Sequence, residues 1–192
     1  NTDLTVALAA AAEAEGRARG RRIPIVYTSS TQAAHDNAYG ASKRAAEQAL
    51  RAYGERTGAA SHVFRLPNVF GKWCRPNYNS AVATFCHNIT RGLPIQINDP
   101  AAALRLVYVD DVVERFIQLM DGADAATDAE GFATVTPQYT TTVGELAQLI
   151  ETFRSSRSTL VTERVGTGLV RALYATYVSY LPPESFTYPV PM

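Results

Sequence analysis

The sequence predicts an α/β fold built on a doubly wound parallel sheet. Strand-like β-branched runs alternate with helix-forming runs, the first such strand ends in a polar cluster, and a long helix joins it to the next strand. Strand, helix, strand in that order implies a right-handed parallel crossover.

From Leu4 to Arg19 alanine, leucine and glutamate dominate at helical spacing and Gly20 supplies a stop, which predicts a helix with no strand before it. Ile23, Ile25 and Val26 begin a buried strand that turns polar at Tyr27-Thr28-Ser29-Ser30-Thr31. Open α/β sheets place their chemistry at such strand ends. Tyr39 to Arg56 is the clearest helix, closed by Gly58, and His62 to Leu66 is the next strand, cut off by Pro67. A helix near Ser80 to Arg91, a strand near Leu104 to Val109, a helix from Asp110 to Met120 and a strand near Gly131 to Val135 continue the alternation. Thr142 to Phe153 reads as a helix capped by Thr142, with Glu145 completing a capping box. Arg154 to Ser158 reads as a polar link, followed by a helix from Gly168 to Leu181 whose Tyr174, Tyr177 and Tyr180 share a packing face.

At 192 residues and 46% hydrophobic the chain can bury a substantial core. Lys+Arg and Asp+Glu both number 18, so no net charge is available to grip a phosphate backbone, and nucleic acid is not an expected partner. The two cysteines, Cys74 and Cys86, are too few for a disulfide scaffold and have no zinc-like spacing to histidine. A reducing cytoplasm fits them. Glu13 and Glu15 interrupt the apolar start, so neither a signal peptide nor a membrane span is expected.

The chemistry concentrates at Tyr39-Gly40-Ala41-Ser42-Lys43, where a phenol and an ammonium four residues apart leave one face of a helix start. An isolated phenol titrates near about 10 and is a poor acid or base at neutral pH. A neighbouring cation and the helix N-terminus favour the phenolate. Ser30, at the end of the preceding strand, can hydrogen-bond the oxygen that Tyr39 protonates, giving three side chains around one carbonyl.

Four blocks in order carry a family resemblance: Tyr27-Thr28-Ser29-Ser30-Thr31, Tyr39-Gly40-Ala41-Ser42-Lys43, Arg65-Leu66-Pro67-Asn68-Val69-Phe70-Gly71, and Arg105-Leu106-Val107-Tyr108-Val109-Asp110-Asp111-Val112. Together they resemble the extended short-chain dehydrogenase/reductase family, also called the NAD-dependent epimerase/dehydratase family. The resemblance implies a partial Rossmann-like domain over residues 1–153, including substrate-binding elements. Residues 154–192 would be a linker and C-terminal helix leading toward an absent second domain. It makes Tyr39 the general acid/base, Lys43 the cation that supports the Tyr39 phenolate and holds the nicotinamide ribose, and Ser30 the hydroxyl that orients the carbonyl. Ser29, Pro67, Asn68 and Val69 join Tyr39 and Lys43 as cofactor-binding residues. Arg105 is expected to face a substrate phosphate, while Asp110 and Asp111 are read either as helix capping or as site residues.

A narrower resemblance spans Phe64 to Pro100, where Arg65 to Ser80 and Phe85-Cys86-His87-Asn88-Ile89 look like the capsular-polysaccharide reductases acting on a UDP-linked 4-keto-6-deoxy-N-acetylhexosamine. By that likeness Asn68, Lys72, Arg75, Asn77 and Asn79 belong to a nucleotide-sugar pocket, with Arg75 a bidentate diphosphate ligand; a solvated loop is the other reading. Trp73 either stacks on a ring or anchors its loop in the core. Cys86 reads as a small buried hydrophobe, His87 as a loop or pocket residue, and His35 as surface loop.

The implied activity is NAD(P)-dependent reduction of a nucleotide-linked 4-keto-6-deoxy sugar, of the UDP-N-acetyl-fucosamine type that serves capsule or O-antigen synthesis. A sugar-nucleotide epimerase or dehydratase and a non-catalytic dinucleotide-fold remnant are the alternatives. The resemblance favours NADPH over NADH and suggests a homodimer. No strand, Gly-rich turn and helix precede the Ser/Thr block, and Gly166-Thr167-Gly168 is no substitute, so the chain is expected to be a fragment that binds cofactor weakly. The ending Tyr188-Pro189-Val190-Pro191-Met192 reads as a domain junction.

Overall fold

The alanine- and glutamate-rich start forms helix α1 (Thr2–Arg19) in the computed structural model of the chain, which describes residues 2–186. The junction-like ending Tyr188–Met192 lies outside the described residues. The remaining elements follow in chain order: β1 (Ile25–Ser30), α2 (Ala38–Thr57), β2 (Ser61–Leu66), β3 (Asn68–Phe70), α3 (Ala81–Thr90), β4 (Ala103–Tyr108), α4 (Val109–Met120), β5 (Tyr139–Thr142), α5 (Val143–Thr159) and α6 (Gly168–Ser179). Among the described residues no helix is long and apolar enough to cross a membrane.

The chain divides into two compact units. One takes in the chain up to Pro67 together with Glu114–Val135. In it β1 and β2 pair in parallel, Ile25 opposite Ser61 through Ser30 opposite Leu66, with α2 as the crossover. Asn37 caps α2 by accepting the Gly40 N–H at 2.7 Å, and Gly58 ends it with a left-handed φ of 66°. Ala9, Ile25, Leu50, Tyr53 and Ala59 form an interior cluster, and the Tyr53 hydroxyl donates to the Ile23 carbonyl at 2.6 Å.

The other unit takes in Asn68–Val113 and the chain from Thr136 onward. Its three strands run in the order β3-β4-β5, the first pair parallel and the second antiparallel. Phe70, Phe85, Ile89, Leu106, Leu146, Ile150, Phe153, Leu173 and Tyr177 lie in one buried cluster between the sheet and α3, α5 and α6. The tyrosine face predicted on the last helix packs into this cluster, with the Phe153 ring 5.2 Å from Tyr174 and 5.8 Å from Tyr177.

Four elements differ from the sequence reading, the first being β3 (Asn68–Phe70), a short strand of its own just past Pro67, where the sequence reading ends the run. Gly131 to Val135 makes single-residue bridges instead of a strand, from Ala133 to Phe64 and to Thr127. The Asp128 carboxylate accepts the Glu130 and Phe132 N–H groups, and Gly131 sits at φ 82°, so a turn consumes the segment before a ladder can extend. Arg154 to Ser158 is not a link: α5 continues to Thr159. The hydroxyls of Ser155, Ser156 and Ser158 bond back to carbonyls three or four residues earlier, which lets serines stay helical, and left-handed Leu160 closes the helix. Finally, β5 was not visible as a strand because Tyr139-Thr140-Thr141-Thr142 shows no apolar alternation; pairing with β4 creates it. The predicted Thr142–Glu145 capping box is present.

Candidate functional site

In the first unit the backbone before α2 is arranged to present its first turn. A short 3-10 turn over Thr31–Ala34 follows β1, and the Ser30 hydroxyl caps it by accepting the Gln32 N–H at 3.1 Å. Arg44 of α2 donates to the carbonyls of Ala33 at 2.7 Å and His35 at 2.8 Å, holding this turn against the helix. The turn passes so close that a Cβ at Gly40 would collide with the carbonyl oxygens of His35 and Gln32. The glycine after Tyr39 is thus a steric requirement of the approach. His35 is exposed, as expected for surface loop.

Tyr39, one turn before Lys43, is 51% exposed, which leaves its phenol open to a ligand. The Lys43 ammonium lies 5.7 Å from the centre of the Tyr39 ring and 5.3 Å from that of Tyr27, and it donates to the Thr28 carbonyl at 3.2 Å. Phenol and ammonium therefore meet beside the polar end of β1, two residues from Ser30. Ser29 points the other way. It is buried, and its hydroxyl donates to the carboxylate of Glu47, itself only 7% exposed. Pro67 is buried at the end of β2. An ammonium, an open phenol and a strand-end hydroxyl are donors that suit the hydroxyls of a ribose and a reducible carbonyl oxygen, so this set fits the nicotinamide end of a dinucleotide.

In the second unit Asn68 and the 37%-exposed Val69 open β3, and the loop that follows carries the other candidates. Lys72 forms an ion pair with Asp110 at 3.0 Å, so Asp110, in the first turn of α4, is engaged by a side chain as well as by the helix start. Desolvation and a hydrogen bond to Asp110 push the Tyr108 phenol up to about 12. Arg75 and Asn79 are exposed, with the Arg75 guanidinium 5.7 Å from the Tyr78 ring. Asn77 adopts a left-handed φ of 55°, its N–H donating to Thr84 at 2.9 Å. Arg105, exposed on β4, donates to Gln138 at 2.8 Å.

Trp73 is 85% exposed at φ 65°, so it does not anchor the loop in the core. The anchor is the Tyr180 hydroxyl, which donates to the Cys74 carbonyl. Cys86 is fully buried and burial drives its thiol far above the ordinary range, in keeping with a small hydrophobe. His87 lies within α3, where burial and then the charge of Arg91 lower its pKa. Gly166 and Gly168 flank Thr167, the residue that precedes α6, after a stretch without a strand.

Glu47 escaped the sequence reading. Two signals were available: an acidic residue one turn beyond Lys43 on the same helix face, and an arginine two positions before Pro67 able to meet it.

The chain matches the NAD dependent epimerase/dehydratase family over residues 5–133. It is 57% identical, over its whole length, to half of the UDP-2-acetamido-2,6-beta-L-arabino-hexul-4-ose reductase of Pseudomonas aeruginosa. It is 32% identical over 97 residues to UDP-glucuronate 4-epimerase 1 of Arabidopsis thaliana, covering 48% of this chain and 22% of that protein. Among solved structures, the capsular polysaccharide assembling protein CapF of Staphylococcus aureus superposes with a TM-score of 0.82 at 42% identity, over 88% of this chain and 46% of that one. The Thermus thermophilus UDP-glucose 4-epimerase in complex with NAD, at 19% identity and a TM-score of 0.62 over 86% of this chain and 66% of that one, shares the α/β, Rossmann-like fold. The chain spans about half the length of the Pseudomonas reductase.

Proposed function

The chain belongs to the NAD dependent epimerase/dehydratase family, and on that premise we propose that the protein carrying it reduces the 4-keto group of a nucleotide-linked 6-deoxy sugar. The observation that supports this most is the Lys43 ammonium poised between the Thr28 carbonyl and the half-exposed Tyr39 ring at the end of β1. The Pseudomonas reductase, whose name specifies a UDP-linked hexul-4-ose, supports the choice of substrate. The substrate is accordingly a UDP-linked 4-keto-6-deoxy-N-acetylhexosamine of the UDP-N-acetyl-fucosamine type, made for capsule or O-antigen synthesis in the cytoplasm.

A nicotinamide dinucleotide, NADPH in this reading, would be held beside Tyr39 and Lys43 and would supply hydride chemistry there. Tyr39 Oη gives its proton to the oxygen that becomes a hydroxyl. Ser30 Oγ hydrogen-bonds the same oxygen and fixes its direction, while Lys43 Nζ holds the cofactor's ribose and favours the anion left on Tyr39. Ser29 and Pro67 shape the strand ends beside this group, and Asn68 and Val69 line the cofactor. Asn68, Lys72, Arg75, Asn79 and Arg105 hold the nucleotide sugar, with Arg75 and Arg105 suited to its phosphates by guanidinium geometry. The family suggests a homodimer, which sedimentation of the complete polypeptide tests.

Replacing Tyr39 by Phe in the complete polypeptide removes the proton donor and keeps the ring. Turnover of a UDP-linked 4-keto sugar, followed by nicotinamide absorbance, is expected to fall by about 10²–10⁴-fold with nucleotide-sugar binding retained. Wild-type turnover in that variant overturns the reading. Stoichiometric consumption of reduced cofactor separates a reductase from an epimerase or dehydratase, which returns the hydride to its own substrate.

A further inference from the structure

We infer that Glu47 is a positioning residue: clamped by Ser29 and Arg65, it sets the place of the Tyr39–Lys43 pair at the end of β1. The inference rests on the proton-donor role proposed for Tyr39.

Tyr39, Lys43 and Glu47 are spaced four residues apart, so they form one stripe along α2. The stripe passes from a half-exposed phenol, through a partly exposed ammonium, to a carboxylate that is 7% exposed. Glu47 Oε1 accepts the Ser29 hydroxyl and Arg65 Nε at 3.1 Å, while Oε2 accepts Arg65 Nη2 at 2.8 Å. Ser29 and Arg65 are register partners on β1 and β2. One carboxylate thus pins the helix to two adjacent strands at once, next to Thr28 and Ser30.

Arg65 is itself fixed on its other sides. Its guanidinium lies 3.7 Å from the centre of the Phe132 ring and bonds Glu130 at 3.1 Å. The hydrogen bond that Arg65 donates to Glu47 is the largest influence raising the Arg65 pKa, so the guanidinium stays charged. A clamp made of directional, charge-assisted bonds fixes where α2 sits along the strands, which apolar contacts on a helix face leave freer to slide. Sliding a helix by one residue moves its side chains about 1.5 Å along the axis. Misplacing a reacting group by about 1 Å can cost about 10²-fold in rate.

The test uses the complete polypeptide with the UDP-linked 4-keto sugar. Glu47→Gln keeps the size of the side chain but loses the charge. It is expected to lower kcat about 10- to 100-fold with KM for the sugar nucleotide within about twofold. In that background Tyr39→Phe should cost less than it does in the wild type, because a misplaced donor has less to lose. A Glu47→Gln protein that folds and keeps wild-type kcat, merely unfolding at a lower temperature, overturns the inference. Should Glu47→Gln not fold, Ser29→Ala, which removes one of the three bonds, decides: a several-fold loss in kcat at constant KM supports the clamp, and unchanged kcat overturns it. Wild-type turnover of Tyr39→Phe alone would instead remove the proton-donor reading, so the two failures are distinguishable.

Discussion

The two units hold their candidate residues by opposite means. In the first, the side chains of α2 that would carry chemistry are backed by the buried Glu47 carboxylate paired with the partly buried Arg65, with Ser29 joining the network. In the second, Lys72, Arg75 and Asn79 lie on a loop with two non-glycine residues in left-handed backbone, behind which the core is apolar and aromatic. Reacting groups need a fixed direction, and directional bonds provide it. Groups that grip a flexible, charged substrate need reach and charge, and a loop tied down by Tyr180 provides both.

If the second unit is held by packing, its largest response comes from the core. Phe153→Ala, at a side chain 1% exposed, is expected to destabilise the protein by about 3–5 kcal/mol in urea unfolding, since it removes ring contacts to Tyr174 and Tyr177 and leaves a cavity. A loss under about 1 kcal/mol would break the comparison. Next in size is Arg75→Ala, expected to leave stability within about 0.5 kcal/mol and to weaken nucleotide-sugar binding by about 1.5–3 kcal/mol in calorimetry. Unchanged affinity would make Arg75 a solvated loop residue.

The smallest effect is the start of α5. The Thr142 backbone N–H, then the hydroxyls of Thr141 and Thr142, hold the Glu145 carboxyl below its ordinary pKa. A carboxyl whose folded pKa is depressed contributes stability above the unfolded pKa and loses it as pH falls through the folded value. The difference in melting temperature between the wild type and Glu145→Gln should therefore be constant near neutrality and shrink in acid. A difference independent of pH would show that the carboxylate's charge contributes nothing.

Helices were legible because their signals are local. Leu4 to Arg19, Tyr39 to Arg56 and the Thr142–Glu145 capping box declare themselves within a turn or two, and the structure places them within a few residues of those bounds. The Tyr39–Lys43 pair was legible for the same reason, four residues being one helical turn. Where sequence failed, a hydrogen-bond partner that the local apolar pattern does not reveal decided. The threonines of β5 become a strand through β4, Arg154 to Ser158 stays helical because serine hydroxyls find carbonyls within the helix, and Trp73 faces solvent while Tyr180 anchors the loop at Cys74, 106 residues away.

By itself the sequence determined the alternation of elements, the family blocks and the phenol and ammonium on one helical face, since each depends on spacing along the chain. Tertiary structure alone decided that Glu47 would meet Arg65 and Ser29, because a carboxylate is desolvated only where two strands and a helix converge, and such a cost is tolerable only with its hydrogen bonds made.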